Sequence, residues 1–490
     1  MARAIACIVE DRGAHLYSKR KDFCYVLLAL SVACYFAYVT FGYTTEDPIT
    51  KDALENARAA YHLVHTGVMG ADAVETANPK PQIRREPVPI LVIAAFLLVH
   101  PEFDRPYTIA ELTSGPLAQS VKGVNAFWRF LAALFIFLLC KELFADWLLS
   151  AAIALVCLAV SEVLFFARPP YVDRLYTEIP AAALILVGSW SAVRFVRTKS
   201  IGRAAWLGVA LGALALTKAA FLYIAIGFVA LLATLEGLKL LQAESPSAAL
   251  RKVSSAYAML IIAMFATNAT WIVRNYAEFG KPQMSSRGDN ILLYRITLSQ
   301  QPLLGHIYAH SPGAIRRVSG PWIGYSAEDL KPGGRLDENL PALADIVKRM
   351  KAEGFEGNEG NHERLRGEAL DFVIQNPLRY VATIGVFAYK GMWFMTYSGG
   401  WVAIAFNVVA ILCFLGVFLG AVVAGNLTLV ATFGLSAGSF LFTSMFTQAL
   451  TRFNGPITPI VILSVLVLLV PLCQSVFRSL SRSCHLATQA

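Results

Sequence analysis

From Gly391 to Thr451 the chain runs for 61 residues without an Asp, Glu, Lys or Arg. A soluble core helix needs no such run, whereas about 20 apolar residues suffice to cross about 30 Å of hydrocarbon. The remainder agrees: 56% of the 490 residues are hydrophobic and 15% charged, against about 45–50% and about 25% in a soluble domain. A water-soluble globular protein is excluded, and the expected fold class is an all-α polytopic membrane protein. The excess of 42 basic over 33 acidic residues marks cytoplasmic loops in such a chain rather than a nucleic-acid partner.

Largely apolar stretches approaching spanning length place spans near 23–45, 123–144, 147–167, 176–194, 204–217, 219–236, 253–274, 401–422, 427–448 and 455–474, about ten in all. The first follows Lys19, Arg20 and Lys21 like a signal sequence, but its uncharged core exceeds the 7–15 residues usual for one, so it reads as an uncleaved span. With residues 1–22 in the cytoplasm, the even-numbered spans end at Arg194, Arg197, Lys199 and Arg203, at Lys239, Arg251 and Lys252, and at Arg478 and Arg482. The positive-inside rule is met repeatedly. The domain division follows: an N-terminal module over 23–274, an outer loop over 275–400, C-terminal spans over 401–474 and a tail over 475–490.

The same parity puts loops 46–122 and 275–400 outside the cytoplasm. In the first, Lys51 to Thr66 places Ala53, Leu54, Ala57, Tyr61 and Val64 on one helical face, with Glu55, Arg58, His62 and His65 elsewhere, as in a helix lying along the membrane surface. Pro87 to Pro101 is too short for a comfortable span and reads as re-entrant or interfacial. The second loop should end in a helix from His362 through Tyr380 and an interfacial segment to Tyr397.

Candidate chemistry gathers at this outer face. Glu46 and Asp47 emerge directly after the first span; a carboxylate there suits a general base toward an acceptor hydroxyl. Asp47 before Pro48 equally suits a helix N-cap followed by proline. Arg84, Arg85 and Glu86 either hold a lipid phosphate or fold the loop, and Arg168, Asp173, Arg174 and Glu178 form a mixed-charge turn. Lys218 is the one charge in residues 204–235. Those 32 residues would span about 48 Å as a single helix, so two short spans meeting at Lys218 are expected. A lysine at that apex snorkels to the interface or binds a phosphate. Arg274 and Arg452 end spans at the same face, and three cations at one depth make a candidate phosphate site.

His306 and His310 have helical metal-ligand spacing without the accompanying Glu of a zinc motif. Tyr294, Trp322, Tyr325, Trp393 and Tyr397 either stack on sugar or form an interfacial belt. No P-loop, dinucleotide fingerprint or nucleophile elbow occurs. The eight cysteines include no C-x-x-C pair and lie in apolar segments or the tails. No cofactor is called for, and a divalent metal is left open.

The acid pair after span one, Arg-Glu-Pro at 85–87, Thr-Glu at 177–178, Leu-Thr-Lys at 216–218, Trp271 with Arg274-Asn275, and Arg452 through Pro459 occur in an order that resembles the GT-C membrane glycosyltransferases. Within them the resemblance is to the branch of protein O-mannosyltransferases and lipid A aminoarabinose transferases, and covers most of the chain. Glu46-Asp47 departs from the family's usual acid order, and Lys218 stands where many relatives have Arg.

The resemblance implies a GT-C-like bundle with outer interfacial helices, and transfer of one sugar from a polyprenyl-phosphate donor, with inversion, to an envelope glycan, lipid or protein hydroxyl. Asp47 would be the base, with Glu46 orienting or sharing that role. Lys218, Arg274 and Arg452 would hold the donor phosphate, and Arg84, Arg85, Glu86, Arg168 and Glu178 would line the substrate site. The expected setting is a bacterial inner membrane, among membrane lipids, with the site facing the periplasm or cell exterior. A transporter or flippase of an anionic lipid-linked saccharide, and a non-catalytic membrane assembly subunit, are the alternatives.

Overall fold

The computed structural model describes residues 2–70, 72–242, 246–285, 295–296, 299, 302–331, 334–336, 360–396, 400–447 and 451–471. All regular structure among them is helical. Among the described residues nine helices are long and apolar enough to cross a membrane: Lys21–Gly42, Pro116–Leu143, Trp147–Phe166, Glu178–Thr198, Ala220–Leu241, Val253–Phe279, Trp401–Val423, Leu427–Phe446 and Arg452–Pro471. The protein is an all-α, polytopic integral membrane protein.

The span expected near 204–217 forms as Ile201–Ala215, whose 15 residues extend about 22 Å and lead from the Lys199 end of the bundle to the Glu178 end. It is packed tightly on the helix Val253–Phe279. A Cβ added at Gly208 would stand 2.4 Å from the Leu260 carbonyl oxygen, and one at Gly212 would stand 2.6 Å from Thr267 Cβ. Only glycine permits this approach, as in other small-residue helix contacts. The short helix then turns through Leu216–Ala219 into Ala220–Leu241, so Lys218 does sit at the apex of a hairpin.

Glu178–Thr198 runs through the middle of the bundle, almost wholly buried. At one end Arg194 and Arg197 pair with Glu142, and Lys199 pairs with Glu236. Glu178 stands at the other end, about 31 Å away over 21 residues. Above that end lies a second apolar layer in which Ala53, Ala57, Ala60, Ile90, Ile93, Leu112, Val121, Leu175 and Trp271 share one core.

Three expectations need correction. The Lys51–Thr66 helix forms with the anticipated bounds, stopped by Gly67 at φ 73°, but it is not a surface helix. Asn56 and His62 are as buried as Ala57, because Pro87–Val99 and Ile109–Thr113 pack on it from further sides. The single helix from His362 to Tyr380 is two, Gly360–Gln375 and Pro377–Met392. Pro377 forces the residue before it out of the helical region, and Asn376 sits at φ −130°, ψ 53°. Lys122, taken as the end of an outer loop, is wholly buried.

Candidate functional site

Two short segments of chain, 45–52 and 173–178, lie side by side. The Arg174 guanidinium donates to the Pro48 carbonyl at 3.2 Å and to Thr50 Oγ1 at 3.0 Å. One turn further on, Asn56 donates to the Leu175 carbonyl at 2.8 Å. Each segment carries an acid at both ends: Asp47 and Asp52 on one, Asp173 and Glu178 on the other.

At the first end, Asp173 accepts from the Thr45 amide and the Thr45 hydroxyl, both at 2.8 Å, and from Lys122 Nζ at 2.9 Å. Lys122 also donates to the carbonyls of Thr45 and Asp47, at 2.7 and 2.8 Å. Glu46 and Asp47 have exposed side chains. Gly115 donates its amide to the Glu46 carbonyl at 3.1 Å, so the acid pair is tied by its backbone and open at its carboxylates.

At the second end, Arg452 pairs with Asp52 at 3.3 Å and approaches Glu178 at 3.9 Å. Its guanidinium lies over Tyr176 at 5.2 Å and Phe453 at 5.4 Å. Lys218 Nζ is 4.4 Å from the centroid of the same Phe453 ring, a cation–π geometry. Burial lowers the pKa of the Lys218 ammonium; Glu178, Glu86 and Asp52 oppose that shift, and Arg452 adds to it. Lys218 is placed there by the docking of Pro87–Val99 onto its hairpin. Glu86 accepts from the Ala219 amide at 3.1 Å, and the Val88 amide donates to the Leu216 carbonyl at 3.1 Å.

Arg85 is committed elsewhere. It pairs with Asp52 at 2.8 Å and Glu55 at 2.6 Å while itself almost fully buried, the distances of strong charge-assisted bonds. Arg84, exposed, pairs more loosely with Glu55 at 3.4 Å. Thus Arg84, Arg85, Glu86, Glu178, Lys218 and Arg452 do come together, balanced by Asp52 and Glu55, which the sequence reading had not placed in the site.

Two expected members stand apart. Arg274 donates to the Gln82 carbonyl and to Asn275, both near 2.9 Å, and lies over Trp271 and Phe279. It touches the charged cluster only through Gln82, whose side chain accepts from the Arg85 amide at 3.0 Å. Arg168 bonds the Val163 carbonyl inside its own turn. The turn's contribution comes instead from Asp173, Arg174 and Tyr176.

Lys122, Asp52, Glu55, Tyr176 and Phe453 were missed. A signal existed for Lys122: with Asn125 and Arg129 it forms an i, i+3, i+7 polar stripe on a largely apolar helix. Asn125 donates to the carbonyls of Val172 and Arg174, and Arg129 pairs with Glu162. All three hold the 162–174 turn.

Among the described residues no three His, Cys, Asp or Glu stand together as a metal site. His306 and His310 do share a helix, rings 4.3 Å apart. Burial and the neighbouring Lys390 and Arg295 push His306 down to about 3 and His310 lower still, a cationic setting that opposes a divalent ion. The expected aromatic belt is dispersed: Trp322 is 87% exposed, Trp393 is buried, and Tyr325 stacks on Tyr308. Tyr294 and Tyr397 lie outside the described residues.

No protein-family model matches the sequence, and no curated protein matches it. Among solved structures, the chain is similar to an archaeal oligosaccharyltransferase, AglB from Archaeoglobus fulgidus, in complex with an inhibitory peptide and a dolichol-phosphate. The TM-score is 0.47 at 14% identity, covering 94% of this chain and 52% of that one. This chain therefore spans about half the length of that structure.

Proposed function

We propose that this chain is a GT-C type glycosyltransferase that moves one sugar from a polyprenyl-phosphate donor to a hydroxyl acceptor. The observation that carries the proposal is the pairing of segments 45–52 and 173–178, which sets an exposed carboxylate at one end against the half-buried Lys218 and the loosely paired Arg452 at the other. Asp47 and Asp52 are five residues apart, so their Cα atoms are separated by at most about 18 Å.

In this reading Asp47 takes the proton from the acceptor hydroxyl as its oxygen attacks the anomeric carbon. The bond from that carbon to the phosphate oxygen breaks on the opposite side, inverting the configuration, and its electrons leave with the lipid phosphate. Lys218 and Arg452 stabilise the charge that grows there. Arg452 is suited to this because its contacts with Asp52 and Glu178, at 3.3 and 3.9 Å, are longer than the 2.7–2.9 Å of an optimal pair. A phosphate can compete for such a guanidinium. Arg85, with both its carboxylates close, is a structural member, and Arg274 acts on the site through the Gln82 loop.

An extracytoplasmic site is supported by Glu178–Thr198, whose far end carries Arg194, Arg197 and Lys199, since basic ends tend to face the cytoplasm; in this reading the Glu178 end faces outward, into the periplasm if the membrane is a bacterial inner membrane. Loops 46–122 and 275–400 would then shape acceptor choice, whether an envelope glycan, lipid or protein.

The test is lipid mass spectrometry on cells carrying wild type or Asp47→Asn at equal protein level. Accumulation of one monosaccharide-linked polyprenyl phosphate in the variant supports the transfer and identifies the donor. Unchanged lipid pools and unchanged glycans would remove Asp47 as the base.

A further inference from the structure

The exposed carboxylate of Asp47 is attached to a backbone held on both sides. Its amide donates to Thr45 Oγ1 at 3.3 Å and its carbonyl accepts from Lys122 Nζ at 2.8 Å. The Lys122 ammonium has three protons and three acceptors: the carbonyls of Thr45 and Asp47 and the Asp173 carboxylate, all within 2.7–2.9 Å. Its donor capacity is therefore filled. The second oxygen of Asp173 accepts from the Thr45 hydroxyl, closing a ring of contacts around Thr45–Asp47.

The ion pair in this ring is sealed from water, the side chain of Lys122 being 0% exposed and that of Asp173 4%. Two ions removed from water are costly, and an apolar pair of similar volume would fill the same space at equal or better stability. What an apolar pair cannot do is grip two carbonyls. The helix that carries Lys122 is anchored independently, since Asn125 and Arg129 on the same face hold Val172, Arg174 and Glu162.

We infer that Lys122, acting with Asp173 and Thr45, is a positioning residue that fixes the Asp47 carboxylate relative to the Lys218–Arg452 end of the site. The inference rests on the reading of Asp47 as the base. Proton transfer to a positioned base requires hydrogen-bond reach, and a displacement of about 1 Å can cost about 100-fold in rate. Lys122 touches neither substrate nor donor, so donor binding and turnover separate when it is lost.

The experiment uses the full chain. Lys122→Met with Asp173→Asn removes both buried charges together, which avoids stranding a lone carboxylate. Thr45→Val, at an exposed position, breaks the link between Asp173 and the Asp47 amide with little risk to folding. Each variant is assayed for thermal stability in detergent, for binding of dolichyl phosphate as the probe, and for donor accumulation in cells beside Asp47→Asn.

The expected result is a folded double variant that binds dolichyl phosphate within about twofold of wild type while turnover falls about 10- to 100-fold. Thr45→Val should fall in the same direction by less. Turnover within twofold of wild type in either folded variant, with Asp47→Asn inactive, overturns the positioning role alone. An active Asp47→Asn overturns the parent reading instead. A Thr45→Val protein that loses dolichyl phosphate binding and turnover equally would also overturn the inference, since that is the signature of a general structural defect.

Discussion

At one end of the paired segments 45–52 and 173–178 the Lys122–Asp173 ion pair is shut away from water, and at the other the Arg452–Asp52 pair is half-exposed. Lys122 and Asp173 are 0% and 4% exposed, with every donor of the ammonium used. Arg452 and Asp52 are 31% and 28% exposed, with the contact between them about half an ångström longer than ideal. The buried end holds a geometry that thermal motion and incoming ligands do not readily change. Under the proposed function the open end would trade a carboxylate for a phosphate, and one segment of chain would join a rigid support to a responsive binding surface, as a base and a leaving-group site require of each other.

The contrast is broken most directly by asking what each pair does for stability. Lys122→Met alone leaves Asp173 as a buried, unpaired carboxylate and should destabilise the protein by roughly 3–5 kcal/mol. Arg452→Met removes a half-exposed pair, for which about 1 kcal/mol or less is expected. Denaturation of the two variants in the same detergent decides it, and comparable losses would mean that both ends are structural. Activity should rank the other way for the cations of the open end: Lys218→Met and Arg452→Met are each expected to lower turnover about 10²–10³-fold by losing a preorganised partner of the leaving phosphate, with the fold retained. A smaller effect is expected at Gly208. Its Cβ would meet the Leu260 backbone carbonyl, so Gly208→Ala should cost about 1–3 kcal/mol through overpacking and shift the hairpin that presents Lys218. Unchanged thermal stability in Gly208→Ala would show that this helix pair has slack.

How far these features were legible in sequence depends on whether they are local. The bounds of Lys51–Thr66 could be read because a glycine in the left-handed region stops it. Its environment could not, because periodicity reports which residues share a face and not what later packs on the others; hence Asn56 and His62 came out buried. Lys218 at a hairpin apex followed from counting residues against membrane thickness. That Glu86 hooks the Ala219 amide, 133 residues away, depends on tertiary packing that no local pattern encodes. Lys122 was misplaced for the opposite reason: a lysine bordering a loop resembles a solvated one, although its spacing with Asn125 and Arg129 marked a polar stripe aimed inward. Arg274 was an expected member because of its depth in the membrane and the Trp271–Asn275 resemblance, and Arg168 because of its place in the outer turn, and none of these specifies which way a side chain faces.

The smallest of the expected effects sharpens the same comparison through pH. Lys218 is partly desolvated, which lowers its pKa from the ordinary lysine value of 10.5. The sign for stability follows: the protonated form is disfavoured by folding, so the contribution of this group is least favourable at low and neutral pH and improves as pH rises through its folded pKa. Donor binding has the opposite dependence, because a phosphate needs the ammonium. In free enzyme that charge is lost at a lower pH than for an exposed lysine, whereas a bound phosphate pulls the pKa back up. The alkaline limb of kcat/KM should therefore lie below that of kcat, and Lys218→Arg, whose guanidinium stays protonated, should move the kcat/KM limb upward. Lys122→Met/Asp173→Asn should leave that limb where it is, since the buried end does not face the phosphate. A displaced limb in the double variant would mean that the two ends are electrostatically coupled rather than divided between support and binding.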